Sequence, residues 1–239
     1  MGLDVFVGPL TRYYGGDWEN VAERAQRMRV TRPPSAGSPT EARARTGSPD
    51  LERARLAVLA WRTALGASLG GTVTAPLDWE ESETAAYYTG RPGWNGFGSL
   101  VLWAAYVEHP ALRIPAVLPE EWDNDPALVR SNAEGFRSRY SHLVRNVELW
   151  LPVAFDITFE GEGADRRRIV VGSSTTLACQ LAALNAATWK ARPAEVAGWA
   201  RREPDGDAAL ELRARYAFAI MTDLAAKAVE HRLPMKLDF

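Results

Sequence analysis

The chain has 239 residues, of which 46% are hydrophobic and 24% are charged, and its formal net charge is −2. This length and composition are typical of a globular domain that buries enough surface to fold without disulfides or a structural metal. The balanced charge argues against nucleic acid as a partner. The single cysteine, Cys179, excludes an intramolecular disulfide and a thiolate-rich zinc site.

The first residues carry Asp4 and no basic stretch followed by an apolar run, so no secretory signal is expected. The longest apolar runs, such as residues 100–107, are far shorter than the about 20 residues that span a bilayer. No phosphate-binding glycine motif is present, and no cofactor is expected. We therefore expect a cytoplasmic protein that contacts neither membrane nor nucleic acid.

The N-terminal part predicts a strand followed by a helix and a loop. Residues 2–8 are rich in β-branched and aromatic side chains and predict a strand that Pro9 ends. Asp17 has the position of an N-cap for a helix over residues 18–28. Residues 30–50 are rich in proline, serine and arginine without apolar periodicity, which predicts a mobile loop.

The middle of the chain predicts three helices. Good helix formers after Asp50 predict a helix over residues 51–69. The apolar run 99–106 indicates a buried helix, although periodicity alone also allows a strand. Asp125 followed by Pro126 is typical of a helix start, and this helix is expected to continue to about Arg139.

The C-terminal part predicts a hairpin followed by two helices. Residues 148–159 and 167–171 are expected to be its strands, with the turn at residues 160–163. Ser173 or Ser174 is expected to cap a helix that reaches Trp189, and a last helix covers residues 207–231. Few strands among several helices predict a single α+β domain over residues 1–239, with a small, mainly antiparallel sheet.

The opening segment Gly-Leu-Asp-Val-Phe-Val-Gly-Pro-Leu-Thr-Arg-Tyr-Tyr resembles the start of a family of bacterial hypothetical proteins. The resemblance covers only residues 2–14. It implies a bacterial protein, and it implies no activity and no functional residue.

Two aromatic loops, the first at residues 12–18 and the second at residues 87–97, are the candidate binding sites. Both combine flat aromatic rings with glycine and polar groups, a composition typical of recognition surfaces, although packing of the rings on the core is the alternative. The candidate binding residues are Arg12, Tyr13, Tyr14, Asp17, Trp18, Tyr87, Tyr88, Arg91, Trp94 and Asn95.

His142 with Ser173 or Ser174 is the candidate catalytic set. A histidine base and a serine at a strand-to-helix junction are the parts of a nucleophilic site. The Gly-x-Ser-x-Gly pattern is absent, and helix capping is the alternative role of the serines.

Acidic residues cluster at 78–83 and 120–125, where Asp123 and Asp125 have the oxygen ligands of a cation site. The clusters are also explained by solvation and by Asp125 as a helix cap, and we predict no metal site. The function expected is a bacterial interaction protein, of an immunity or regulatory type, which binds a protein partner through the aromatic and acidic loops. The alternative is a hydrolase or transferase with a pocket around His142.

Overall fold

The computed structural model describes residues 2–30, 49–71, 73, 76–82 and 84–239. The loop predicted at residues 30–50 lies outside the described residues, apart from its two ends. Among the described residues, no helix has the length and hydropathy that a membrane span requires.

The described residues form one α+β domain of nine α-helices and six strands, as the sequence predicted. The helices are α1 (Leu10–Tyr14), α2 (Val21–Val30), α3 (Pro49–Ser68), α4 (Gly93–Glu108), α5 (Pro126–Ser131), α6 (Ser141–Val144), α7 (Ser174–Ala187), α8 (Pro193–Trp199) and α9 (Leu210–Glu230). The strands are β1 (Asp4–Val7), β2 (Tyr88–Gly90), β3 (Leu149–Leu151), β4 (Phe159–Glu162), β5 (Arg168–Ser173) and β6 (Met235–Asp238).

The six strands form a single sheet in the order β2-β1-β6-β3-β5-β4. Only β3 and β5 run parallel, and the other four pairs are antiparallel. The prediction of a mainly antiparallel sheet is confirmed. The last strand, β6, lies at the centre and joins β1 to β3, so the two ends of the chain are paired in the middle of the fold.

The two faces of the sheet carry different cores. Val5 and Val7 of β1 and Trp150 of β3 belong to the larger cluster, which α4, α7 and α9 complete. Leu149 and Leu151 of β3 belong to the smaller cluster, which includes side chains of α1 and α3. This division follows the strict alternation of side chains along a strand.

Two helices predicted from the sequence have different bounds in the structure. The helix α2 starts at Val21 because Asn20 and Glu23 form a reciprocal capping pair, in which each side chain accepts the other's backbone N–H at 2.9 Å. Asp17 instead pairs with Arg12 at 3.0 Å. The helix predicted from Asp125 ends early, at Ser131.

The predicted hairpin is also corrected. Its strands are residues 159–162 and 168–173, and the turn lies between them. Residues 149–151 form β3 as predicted, but they pair in parallel with β5, because backbone bends after Leu151 separate β3 from β4. A contact of this kind between distant segments leaves no local signal in the sequence.

Glu81 holds α1 against the sheet. Its carboxylate accepts the backbone N–H groups of Leu10 and Thr11 at 3.2 and 2.8 Å, and it also accepts the indole N–H of Trp79. Helix starts leave unpaired N–H groups that attract negative charge, and Glu81 supplies it from 70 residues away.

We expect Glu81→Ala to lower the free energy of unfolding by about 2–4 kcal/mol, because three buried donors lose a charged acceptor. The measurement is urea denaturation. Glu80→Ala is the matched control, since the exposed Glu80 accepts a single hydrogen bond from the described residues, that of the Ser82 N–H; it should cost about 0.5 kcal/mol or less. Equal losses in both variants would contradict this role of Glu81.

Candidate functional site

Lys236 occupies the middle of the central strand and faces away from the larger core. Its neighbours in β6, Met235 and Leu237, belong to that core. Across the sheet Lys236 is paired with Phe6 of β1 and Leu149 of β3. Alternation along β6 therefore directs the Lys236 side chain to the face that α1 covers.

A cavity of about 260 Å³ opens over Lys236, and we call it the lysine pocket. Its lining residues are Tyr13, Glu148, Asp165, Arg167, Arg168, Ile169, Lys236, Leu237 and Phe239. This volume is slightly below the about 300–1,000 Å³ of pockets for drug-sized ligands. The lysine pocket is therefore suited to a small molecule.

Lys236 is largely buried, and no carboxylate of a described residue forms an ion pair with its ammonium. The residue is only 6% exposed. Its Nζ lies 5.3 Å from the centre of the Tyr13 ring, and it makes no hydrogen bond or ion pair with any described residue. A cation held against an aromatic face and otherwise unpaired is costly to bury.

Burial shifts the ionisation of both central groups of the lysine pocket. Burial lowers the pKa of Lys236, although the carboxylates of Glu148, Asp165 and Asp238 partly offset it; the Arg167 charge adds to the lowering. Burial raises the pKa of Glu148, against the opposing effect of Lys236 and Arg167. Both shifts favour the uncharged forms, and groups perturbed in this way cluster at functional sites.

The β4–β5 turn places two further charges at the rim. The Gly163 N–H donates to the Arg167 carbonyl at 2.8 Å, and the Arg167 N–H donates to the Asp165 carboxylate at 3.1 Å. Arg166 adopts a φ of 64°, which closes the turn. The Arg167 guanidinium is exposed and has no hydrogen bond or ion pair to a described residue, so it is available to contact a ligand.

Tyr13 of the first aromatic loop lines the lysine pocket, and Tyr14 and Trp18 pack against Tyr13. The Tyr13 hydroxyl donates to Asp238 at 2.8 Å, and its ring stacks on Trp18 with centroids 5.6 Å apart. Tyr14 packs edge-on against Tyr13. Burial raises the pKa of both tyrosines, so their hydroxyls remain protonated.

The two predicted aromatic loops meet around Phe6 of β1. Trp18 and Tyr87 contact the Phe6 ring at 5.2 and 5.9 Å. The Arg12 guanidinium lies over the Tyr87 ring and donates to the Ala85 carbonyl at 2.9 Å. These contacts use much of the aromatic surface of the first loop and of Tyr87 within the fold.

The rest of the second loop lies at the β2 edge of the sheet. Arg91 pairs with the buried Asp4 at 2.6 Å, and Tyr88 stacks on His231. The Asn95 carbonyl accepts the Ser99 hydroxyl. Trp94 is 40% exposed and packs on the exposed Phe239, so the second loop presents an apolar patch to solvent.

His142 and the two serines are brought together, but through the backbone. The Ser173 N–H donates to His142 Nδ1 at 2.8 Å. The hydroxyls of Ser173 and Ser174 donate to the carbonyls of Val153 and Leu151, at 2.6 and 3.1 Å. All three residues are fully buried.

Neither serine hydroxyl reaches the imidazole, so this geometry lacks the nucleophile–base contact that catalysis requires. Ser173 does cap α7, as its hydroxyl accepts the Thr176 N–H at 3.1 Å. The close approach of His142 depends on Gly172, where an added Cβ would lie 2.8 Å from His142 Nδ1. The arrangement supports a structural role for His142.

Asp125 and Asp78, one from each acidic cluster, make contacts within the fold. Asp125 caps α5 by accepting the Ala127 N–H at 2.8 Å, and it also accepts the Tyr106 hydroxyl. Asp78 pairs with Arg232 at 2.5 Å. Among the described residues, no group of three or more His, Cys, Asp or Glu is arranged to hold a metal ion.

A larger depression of about 680 Å³ lies between α3 and residues 78–82, and most of its charged groups are used within the fold. Arg232 pairs with Asp78, and Arg62 donates to the Trp79 carbonyl at 2.8 Å. The Glu81 carboxylate is used by α1. The lysine pocket is the stronger candidate, because Lys236 at its centre is largely buried and forms no hydrogen bond or ion pair with a described residue.

Sequence reasoning identified Tyr13 in the lysine pocket but not Lys236, Glu148, Asp165 or Arg167. A signal for Lys236 was available. The chain has 28 basic residues, and only Lys190, Lys227 and Lys236 are lysines. A lysine in the alternating segment Met-Lys-Leu-Asp-Phe, in a chain that otherwise uses arginine, indicates a site where the two are not interchangeable.

Comparisons of the chain with protein-family models, with curated proteins and with solved structures find no significant match.

The burial of His142 gives a testable pH dependence. Burial lowers its pKa, against the opposing effect of the Asp156 backbone and carboxylate. Below the ordinary histidine pKa of about 6.5 the unfolded chain takes up a proton that the folded protein resists, so stability falls as the pH falls. We expect His142→Asn to lose less unfolding free energy than the wild type between about pH 7 and about pH 5.

Urea denaturation at both pH values measures this difference, and comparing slopes removes any constant cost of the substitution. An unchanged slope in His142→Asn would show that His142 does not resist protonation in the fold.

Proposed function

We propose that the protein binds a small organic anion in the lysine pocket. The observation that carries the proposal is Lys236, a residue that is 6% exposed, lines a cavity and forms no ion pair with a described residue. An anion supplies the hydrogen bonds and the counter-charge that a buried ammonium requires.

The remaining lining supports an organic ligand of limited size. Arg167 adds a guanidinium fork suited to a carboxylate or phosphate group. Ile169, Leu237 and Tyr13 offer apolar contact for a carbon skeleton. Glu148 and Asp165 provide acceptors for hydroxyl groups on the same ligand.

We expect thermal-shift screening of short-chain carboxylates and phosphate esters, malonate among them, to find anions that stabilise the wild type. Calorimetry should show that Lys236→Met weakens the best of these anions by about thirtyfold or more, because a buried charge pair is lost. The variant itself should be no less stable than the wild type, since an unmatched buried ion is replaced by an apolar side chain.

Lys190→Met is the matched control, because Lys190 is exposed and lies outside the pocket, and it should bind anions as the wild type does. Equal anion affinity of Lys236→Met and the wild type, or the absence of any anion that binds, would contradict the proposal.

Protein-partner binding is the second candidate function, supported by the exposed ring pair at the sheet edge. Trp94 and Phe239 are 40% and 58% exposed, and their ring centroids are 5.3 Å apart. They lie near β2, an edge strand whose outer backbone groups are available for pairing. An immunity-type or regulatory role would use this patch.

We expect Trp94→Ala to change the unfolding free energy by about 0.5 kcal/mol or less, because the ring is partly in solvent, and to abolish capture of any stoichiometric partner. The measurement is a tagged pull-down from the native organism with quantitative mass spectrometry. Leu56→Ala, at an exposed apolar residue of α3, is the control and should retain the partner. Unchanged capture by Trp94→Ala would exclude this patch.

A further inference from the structure

We propose that Lys236 forms an imine with a carbonyl acid, so that the anion bound in the lysine pocket is a small aldehyde or ketone that carries a carboxylate or phosphate. This inference rests on the proposed anion binding and names the substrate class of the same pocket. It assigns Lys236 a covalent role, for which an arginine cannot substitute.

The surroundings of the Lys236 amine favour an imine. An imine requires a neutral amine with a free lone pair, and an ion pair would hold the proton in place. Lys236 has no ion pair or hydrogen bond with a described residue, and it lies against the Tyr13 ring in a cavity rather than in solvent. Lys227, by contrast, pairs with Asp223 at 2.6 Å.

The charged groups of the lysine pocket lie at different depths. Arg167 is available to hold the anionic group of the ligand, while Lys236 lies deeper, in the centre of the sheet. A ligand anchored by its acid group presents its carbonyl carbon to the deeper amine. Holding the reactants together in this way replaces a bimolecular encounter.

The lysine pocket also contains a proton donor for imine formation. Glu148 lines the same cavity and is half-buried, and its protonated form is favoured by that burial. The Lys236 amine adds to the carbonyl carbon and gives a carbinolamine. Protonated Glu148 then gives its proton to the hydroxyl, which leaves as water. The products are a protonated imine on Lys236, one water molecule and the Glu148 carboxylate, so atoms and charge balance.

The carboxylate left on Glu148 faces the iminium charge that has formed in the same cavity. The charged groups that face Lys236 from the surrounding elements are Glu148, Asp165, Arg167 and Asp238, with the neutral phenol of Tyr13 from α1. These carboxylates stabilise the iminium charge of the product.

The test is reductive trapping of the full-length protein with glyoxylate and cyanoborohydride, followed by intact-mass measurement and peptide mapping. We expect one carboxymethyl group, located on Lys236, to form several-fold faster than on Lys190 or Lys227, because a carboxylate anchored by Arg167 holds the aldehyde carbon near the Lys236 amine. Lys236→Arg should lose this fast adduct and retain only the slow reaction of the other amines.

Glu148→Gln tests whether Glu148 donates the proton. A proton donor and a carboxylate that only raises the pKa of Lys236 predict opposite changes in the trapping rate. The Glu148 carboxylate raises the pKa of Lys236, so its loss alone leaves more neutral amine and would speed trapping. Loss of a proton donor slows trapping instead. We expect several-fold slower trapping in Glu148→Gln, and faster trapping would overturn the donor role.

Trapping that is no faster on Lys236 than on Lys190 overturns the imine inference. Calorimetry with malonate and phosphate esters, which have no reactive carbonyl, separates this failure from that of the proposed function. Anion binding that is lost in Lys236→Met, without selective trapping, would leave the anion site standing and remove the imine. The absence of both anion binding and selective trapping would overturn both the anion site and the imine.

Discussion

The structure depends on one constraint, the position of a lysine in the central strand of the sheet. β6 joins β1 to β3, so a side chain at its middle cannot move away without disrupting the pairing of both ends of the chain. Lys236 is therefore held in place by the backbone, and its ammonium is buried against the Tyr13 ring. The surrounding elements have to accommodate that charge.

The described residues around Lys236 form no hydrogen bond or ion pair with its amine, and this missing partner indicates a function. A fold selected for stability alone would place an apolar residue there or a carboxylate in contact with the amine. Glu148 and Asp165 line the same cavity without forming an ion pair with Lys236. Unmatched groups around an open volume are typical of sites where a ligand supplies the missing partner.

Features that depend on neighbouring residues could be predicted from the sequence. The caps at Asp125 and Ser173, and the long helix that ends at Glu230, depend on residues a few positions apart. The parallel pairing of β3 with β5 depends on distant contacts and was missed. The lysine pocket was missed for the same reason, since Tyr13 and Lys236 meet only through the sheet.

The most direct test of this account is the ionisation of Lys236 observed by NMR. The chain has three lysines, so labelling lysine Nζ with nitrogen-15 gives three side-chain signals that single substitutions assign. We expect the Lys236 signal to titrate below the ordinary lysine range in the free protein, because the side chain is buried, and its pKa to rise when malonate binds, because the anion favours the charged amine. A Lys236 signal that titrates in the ordinary lysine range and does not respond to anions would contradict this role of Lys236.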